Sequence, residues 1–268
     1  MTTVLNEDSK KLLSFNGFIN FRDLGGYKTQ DGKSIKFNKI YRSGNLAKFS
    51  LKNYNYLKKI GIKAICDLRS IKEQKIAPTR LPKNSSIRII HIPINTLEYY
   101  KSNHFKKAFA LFIGKMKTID IMETFRKTYQ GFVVDCKSEL LTIFNLLLFP
   151  ENSPLIIHCT AGKDRTGFVC ALLLHAMGIS KQDIYADYQK TDIYLKKFKE
   201  KTLKKSRFFR PFGVSEDKLS LFFETKKEFL DTAYNAMIQS YGSVDNYIHK
   251  AIGVTPYHLK KLREKFLV

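Results

Sequence analysis

The order of periodicities in this chain of 268 residues predicts an α/β fold: a central, mostly parallel sheet flanked by helices, with a helical C-terminal part. Three observations carry the prediction. Short β-rich runs alternate with helix-period segments through the first part of the chain. The apolar run Pro154-Leu155-Ile156-Ile157 then leads through the decapeptide HCTAGKDRTG (158–167) into a second apolar run, Phe168 to Leu174, so a strand turns directly into a helix. Beyond that point almost every segment shows helical spacing alone.

Taken in order, YKTQDGKSIK (27–36) sets Asp31-Gly32 between two short runs, a hairpin signal. KIYRS (39–43) reads as a strand. Ser50 caps a helix, LKNYNYLKKI, that Gly61 ends. KAICDL (63–68) and SIRIIHIPI (86–94) read as further strands. Residues 97–130 carry Phe105, Phe109, Phe112, Met116, Met122, Phe125 and Tyr129 at helical spacing. They read as a helical insertion over the C-terminal edge of the sheet, where open α/β sheets hold their ligands. A helical stretch over 135–148 leads to Pro150. After the decapeptide, helices are expected near 165–177, 181–205, 216–240, 244–251 and 256–266. The last opens with Thr255 as cap and Pro256 at the first helical position. No linker or repeat divides the chain, so 15–268 reads as one domain and the polar 1–14 as a flexible N-terminus. A content of 44% apolar and 13% aromatic residues suffices for a core of that size.

The decapeptide is a turn into a helix N-terminus, where backbone N–H groups and the helix dipole bind anions. Its residues suit a phosphate. A thiol ordinarily ionises near pH 8.5, and a helix N-terminus with cations beside it favours the thiolate. Cys159 has both at hand. Backbone N–H groups of Thr160, Ala161, Gly162 and Lys163 can form a nest for phosphate oxygens, with Gly162 allowing a turn that other residues resist. Arg165 offers a planar fork for two of those oxygens. Thr166 can donate its hydroxyl to the thiolate, and His158 can hold the loop backbone through its ring. Attack by Cys159 would form a phosphocysteine. The leaving alkoxide then needs a proton, and the water of the second step needs a base. Two carboxylates are candidates: Asp164 inside the loop and Asp67 at the end of the strand over 63–68. Lys163, beside Arg165, reads as a contact for a second phosphate or an acidic flank of the substrate, against a plain solvated lysine. Arg22 and Asp23 read as a structural ion pair ahead of a Gly-Gly turn, against substrate ligands, and Arg69 and Glu73 as scaffold.

Cys159 to Arg165 has the spacing Cys-(x)5-Arg. With His before it, Thr-Gly after it, a strand upstream and an apolar helix downstream, the stretch resembles the cysteine-dependent phosphatase superfamily. Lys163-Asp164 sharpens this: HCxxGKDR resembles the atypical tyrosine and lipid phosphatases of bacteria, including secreted ones of intracellular pathogens. FRDLGGY (21–27), YRSGNL (41–46), DLRSIKE (67–73), ADYQKTDIYL (186–195) and YGSVDNYI (241–248) agree with that family. The resemblance implies a single phosphatase domain with a helical lid, whose aromatic stripe would wall the active site. It implies activity on phosphotyrosine, sometimes phosphoserine or phosphothreonine, and on phosphoinositides. Lipid-directed relatives with an aspartate in the position of Asp164 use it as the acid. Two other readings compete: a phosphate-reading binding module without catalysis, and an RNA 5′-phosphatase. The first sits poorly with a nucleophile, an arginine and an acid all present. The second lacks a recognised nucleic-acid module, so nucleic acid is not the expected partner.

The charge balance, 47 Lys and Arg against 24 Asp and Glu, favours acidic partners. A lysine-rich composition with solvated surfaces explains many of these residues as well. Residues 181–210 hold ten Lys and Arg against four Asp and Glu, a solvated helix face or a basic approach for anionic membrane or phosphorylated substrates. Cysteines stand at 66, 136, 159 and 170 without a CxxC pair, and no HxxxH or HExxH pattern occurs, so neither metal nor cofactor is expected. Cys66 and Cys170 read as core. Free thiols, no apolar signal core and no run of about 18 apolar residues suit a soluble cytoplasmic protein, and are compatible with export by a route without a cleavable signal.

Overall fold

The computed structural model describes residues 18–47, 50–95, 120–206 and 216–268. Five strands form one sheet: β1 (Arg22–Asp23), β2 (Ile40–Ser43), β3 (Ala64–Asp67), β4 (Arg88–His91) and β5 (Leu155–His158). Their spatial order is β1-β2-β5-β3-β4, and only β1 runs antiparallel to its neighbour. The last strand in sequence therefore lies in the middle. Its residues are apolar almost throughout because both faces are covered. Leu155 and Ile157 join Ile40, Ala64 and Cys66 in the larger core, whereas Ile156 joins Tyr41 and Ile65 in a smaller one. In register, Ser43, His158 and Asp67 end three adjacent parallel strands side by side. That edge carries the decapeptide.

The helices are α1 (Leu51–Lys59), α2 (Ile71–Ile76), α3 (Ile121–Asp135), α4 (Lys137–Leu148), α5 (Asp164–Ala176), α6 (Lys181–Ser206), α7 (Glu216–Ser220), α8 (Lys227–Tyr241), α9 (Val244–Asn246) and α10 (Pro256–Phe266). α5 follows the decapeptide and is buried on every side from Thr166 to Leu174, which explains its unbroken apolar run. α3 packs along both α5 and α8: Phe132 stacks on Phe168 at 5.3 Å between ring centroids, and Phe125 on Phe229 at 4.8 Å. Each such buried aromatic or aliphatic side chain contributes roughly 1.5–3 kcal/mol. α1 and Phe21 cover the opposite face. Among the described residues no helix is long and apolar enough to cross a membrane.

Several elements differ from the sequence reading. Of the expected insertion over 97–130, residues 97–119, with Phe105, Phe109, Phe112 and Met116, lie outside the described residues. Its remainder begins α3, a core helix capped by Asp120. The hairpin over 27–36 is a tight turn with a single bridge, Lys28 to Ser34, and Gly32 at φ +86°. α2 was not anticipated, although Ser70-x-x-Glu73 is a capping-box pattern: the Ser70 hydroxyl accepts from the Glu73 N–H, and the Glu73 carboxylate from the Ser70 N–H. The helix expected over 216–240 is broken between α7 and α8. There the Thr225 N–H and hydroxyl both donate to Asp192, each at 2.7 Å, and three carbonyls turn toward Lys163. The expected helix over 244–251 is present, opening as α9 and continuing as a π-helix over Tyr247–Ala251. The final helix starts as expected, with the Thr255 hydroxyl accepting from the His258 N–H.

Candidate active site

The decapeptide forms a loop whose carbonyls all face the scaffold. The Cys159 carbonyl accepts from His158 Nδ1 at 3.1 Å and the Thr160 carbonyl from the Asn45 N–H at 2.8 Å. Asn20 Nδ2 donates to the carbonyls of Ala161, at 3.2 Å, and Gly162, at 2.7 Å. Arg42 Nη2 adds a second bond to the Gly162 carbonyl at 2.7 Å. The Lys163 carbonyl accepts from the Gly167 N–H at 2.8 Å. Five consecutive carbonyls are thus held outward. Among the described residues, the amides of Thr160 to Asp164 donate to no other protein group, so they are left for an anion at the head of α5. Gly162 sits at φ +68°, and a Cβ there would lie 2.5 Å from the Ser43 carbonyl oxygen. Only glycine meets both conditions.

Cys159 lies at the start of this loop, 3% exposed and unbridged. Arg165 reaches back from the first turn of α5. Its two terminal nitrogens donate to the two oxygens of Glu73, each at 2.7 Å. Thr160 donates its hydroxyl to the same carboxylate at 2.5 Å. Burial alone would push the Glu73 carboxyl up, but the Arg165 fork and Thr160 overrule it and bring it down to about 2. Glu73 is more than scaffold: it fixes the plane of the arginine beside the loop.

The two candidate acids sit in different settings. Asp67 is fully buried. Arg69 clasps it with Nε at 2.9 Å and Nη2 at 2.7 Å, and His158 Nε2 lies 3.6 Å away. Burial would raise its carboxyl, but Arg69 and His158 hold it below the ordinary range. Asp164 opens α5 with its side chain 26% exposed. It accepts from the Tyr129 hydroxyl at 3.1 Å. The geometry brings Asp164, Cys159 and Arg165 onto one loop and turns Asp67 into the sheet edge beneath it.

Lys163 departs from the sequence reading. Its side chain is 1% exposed. The ammonium donates to the carbonyls of Phe222 at 2.8 Å, Glu224 at 3.1 Å and Leu221 at 3.4 Å, and lies 4.6 Å from the centre of the Phe125 ring. A buried ammonium must find acceptors, and the broken end of α7 supplies them. The side chain is therefore a staple rather than a rim cation for a second phosphate. The Thr166 hydroxyl is buried beneath the loop and has no partner among the described residues. His158 holds the loop as expected, and because a carbonyl only accepts, Nδ1 is the protonated nitrogen. Burial lowers its pKa to about 4 against the pull of Asp67, so the ring is neutral near pH 7.

The supporting network was largely missed. Asp187 on α6 receives Arg22 Nε at 2.9 Å and Arg42 Nη1 at 2.5 Å, with all three side chains buried. Arg22 was expected to pair with Asp23, which instead accepts from the Gly25 and Asn38 amides. Burial would raise the Asp187 carboxyl, but the two guanidinium groups hold it well below the carboxylate range. The signal was present in FRDLGG, YRSG and ADYQKTD, but the sequence does not say that they meet.

A profile of the tyrosine phosphatase family matches residues 13–268. A protein of Cupriavidus necator, provisionally named a tyrosine-protein phosphatase, is 27% identical over 254 residues, 92% of this chain and 86% of that protein. The triple specificity protein phosphatase PtpB of Mycobacterium tuberculosis is 25% identical over 269 residues, 92% of this chain and 96% of its own length. Among solved structures, the catalytic core of the S. cerevisiae PP-IP phosphatase SIW14 with citrate is 16% identical, covers 81% of this chain and 91% of that one, and superposes with a TM-score of 0.36.

Proposed function

Because this chain belongs to the tyrosine phosphatase family and is a cysteine-dependent phosphatase, we propose that it hydrolyses phosphotyrosine in proteins through Cys159, Arg165 and Asp164. The Cys159 thiolate attacks phosphorus in line, forming the S–P bond as the P–O bond to the tyrosine breaks. Asp164 gives its proton to the leaving phenolate oxygen. Water then attacks the phosphocysteine, Asp164 takes up its proton, and inorganic phosphate leaves with the thiolate restored. The free amides of the loop and the positive charge of the Arg165 guanidinium, held in place by Glu73, stabilise the charge on the transferred group in both steps.

The row of outward-held carbonyls from Cys159 to Lys163 supports this reading most strongly. It leaves a ring of amides around the position a phosphate would take above the thiol. PtpB is named for triple specificity, and we extend the proposal to phosphoserine, phosphothreonine and phosphoinositides. For the last of these, the buried Lys163 ammonium supplies no contact to a second phosphate. The test is turnover of a phosphotyrosine peptide with acid quenching and mass analysis of the loop peptide. A phosphate adduct on Cys159 is expected, and turnover without any such adduct refutes the mechanism. Phosphoserine peptides and phosphoinositides run alongside decide the breadth.

A further inference from the structure

We infer that Tyr129, backed by Tyr188, is a positioning residue that fixes which oxygen of Asp164 carries the catalytic proton. The inference rests on the reading of Asp164 as the acid. The Tyr129 hydroxyl lies 3.1 Å from Asp164 Oδ1 and 2.7 Å from the Tyr188 hydroxyl. A carboxylate oxygen only accepts, so Tyr129 donates to Asp164. Its oxygen is then free to accept from Tyr188, and the chain of donors runs Tyr188 to Tyr129 to Asp164. Both tyrosines are buried, at 0% and 1% exposure. Burial first, and the nearby Asp164 charge second, raise both phenols well above their ordinary range, so their protons stay in place.

Every contact on the acid falls on one side. Lys163 Nζ also approaches Oδ1, at 3.6 Å. Among the described residues Oδ2 accepts no hydrogen bond. In the protonated acid, Oδ1 stays the accepting oxygen and the proton sits on Oδ2, which is left to face the leaving group. After transfer, the carboxylate keeps the Tyr129 bond, and water later returns the proton to Oδ2. The tyrosine proton never leaves its oxygen, so the two steps balance without it. The elements concerned come from three parts of the chain: α3, α6 and the loop itself. Their meeting at a single oxygen is hard to explain by packing alone, since the hydroxyl of Tyr129 spends its donor on the acid.

The experiment measures kcat/KM over phenyl phosphates whose phenols run from acidic to basic, for Tyr129→Phe, Tyr188→Phe, Asp164→Asn and the Tyr129→Phe/Asp164→Asn double variant. Tyr129→Phe should slow the most basic phenol about tenfold, the scale of one hydrogen bond to a charged group, and the most acidic phenol less than about twofold. Tyr188→Phe should show the same trend, smaller. In the Asp164→Asn background Tyr129→Phe should cost nothing further. An equal loss over all phenols, or full additivity in the double variant, overturns the positioning role and leaves Tyr129 as packing. If Asp164→Asn itself shows no dependence on the phenol, the reading of Asp164 fails first, and this inference falls with it.

Discussion

Asp187→Asn tests whether the loop is held by charge from below. Asp187 is buried and is the only carboxylate in contact with Arg22 and Arg42 among the described residues. Asparagine keeps the shape, but its amide nitrogen must face one guanidinium, and two buried positive charges are left without a counter-charge. Breaking a buried pair from one side costs about 3–5 kcal/mol. For a domain of this size each kcal/mol lowers Tm by roughly 2–4 °C, so a fall of about 10 °C is expected in a thermal melt. Arg42 also holds the Gly162 carbonyl at 2.7 Å. Its displacement should free that carbonyl to turn into the phosphate site, lowering kcat about tenfold to a hundredfold in the fraction that remains folded. The sign with pH follows from the direction of the shift. A carboxyl held below its unfolded value of about 3.9 stabilises the fold above that pH, and the contribution is lost only as pH falls toward the folded value. The variant should therefore be destabilised to the same extent from pH 5 to 8. A Tm within about 2 °C of the parent would refute the account, because the arginines would then be satisfied without Asp187.

Cys159→Ser should leave the melting temperature nearly unchanged and reduce turnover to below about 1%, the usual cost of losing a nucleophile, as read by phosphate release. Lys163→Met keeps the stem but orphans the carbonyls of Leu221, Phe222 and Glu224. It should destabilise the protein by about 1–3 kcal/mol in urea unfolding and lower turnover of phosphotyrosine peptides and phosphoinositides by the same factor. A loss confined to phosphoinositides would restore the second-phosphate role. His158 has its pKa lowered from 6.5 to about 4 by burial, so the unfolded chain binds its proton first. Its neutral form stabilises the fold above about pH 6.5, and up to about 3 kcal/mol should be lost as pH falls toward 4. Urea unfolding of His158→Asn should show a flatter decline over that window, and an unchanged slope would place the loss in other groups.

The parts legible in the sequence are those whose cause is local. β5, the loop and α5 were readable together because a buried run, a glycine, an arginine and a second buried run follow one another within 20 residues. The start of α10 was readable because its cap, Thr255, and its first helical residue, Pro256, are neighbours in sequence. What stayed hidden was the destination of long side chains. Lys163 stands beside Arg165 in sequence, and adjacency alone suggests a shared ligand. In the fold its ammonium ends on carbonyls 58 to 61 residues away. It can do so only because the helix expected over 216–240 breaks there, and the composition of LFFETK gives no breaker to announce it.

The same long reach explains why the arginines were misassigned. Arg22 adjoins Asp23 in sequence, but neighbours in a strand point to opposite faces, so the pair could not close across the backbone. The larger core lies on the face that Arg42 shares with Ile40, and a cation there requires a buried carboxylate. Asp187 meets that need from α6, 145 residues after Arg42. Sheet polarity thus dictates that some acid must arrive under the loop, while only the fold of the helical half decides which one. The catalytic loop is local in its chemistry and non-local in its support. Substitutions on α6 and near residue 20 should therefore disturb turnover although none of them touches the phosphate.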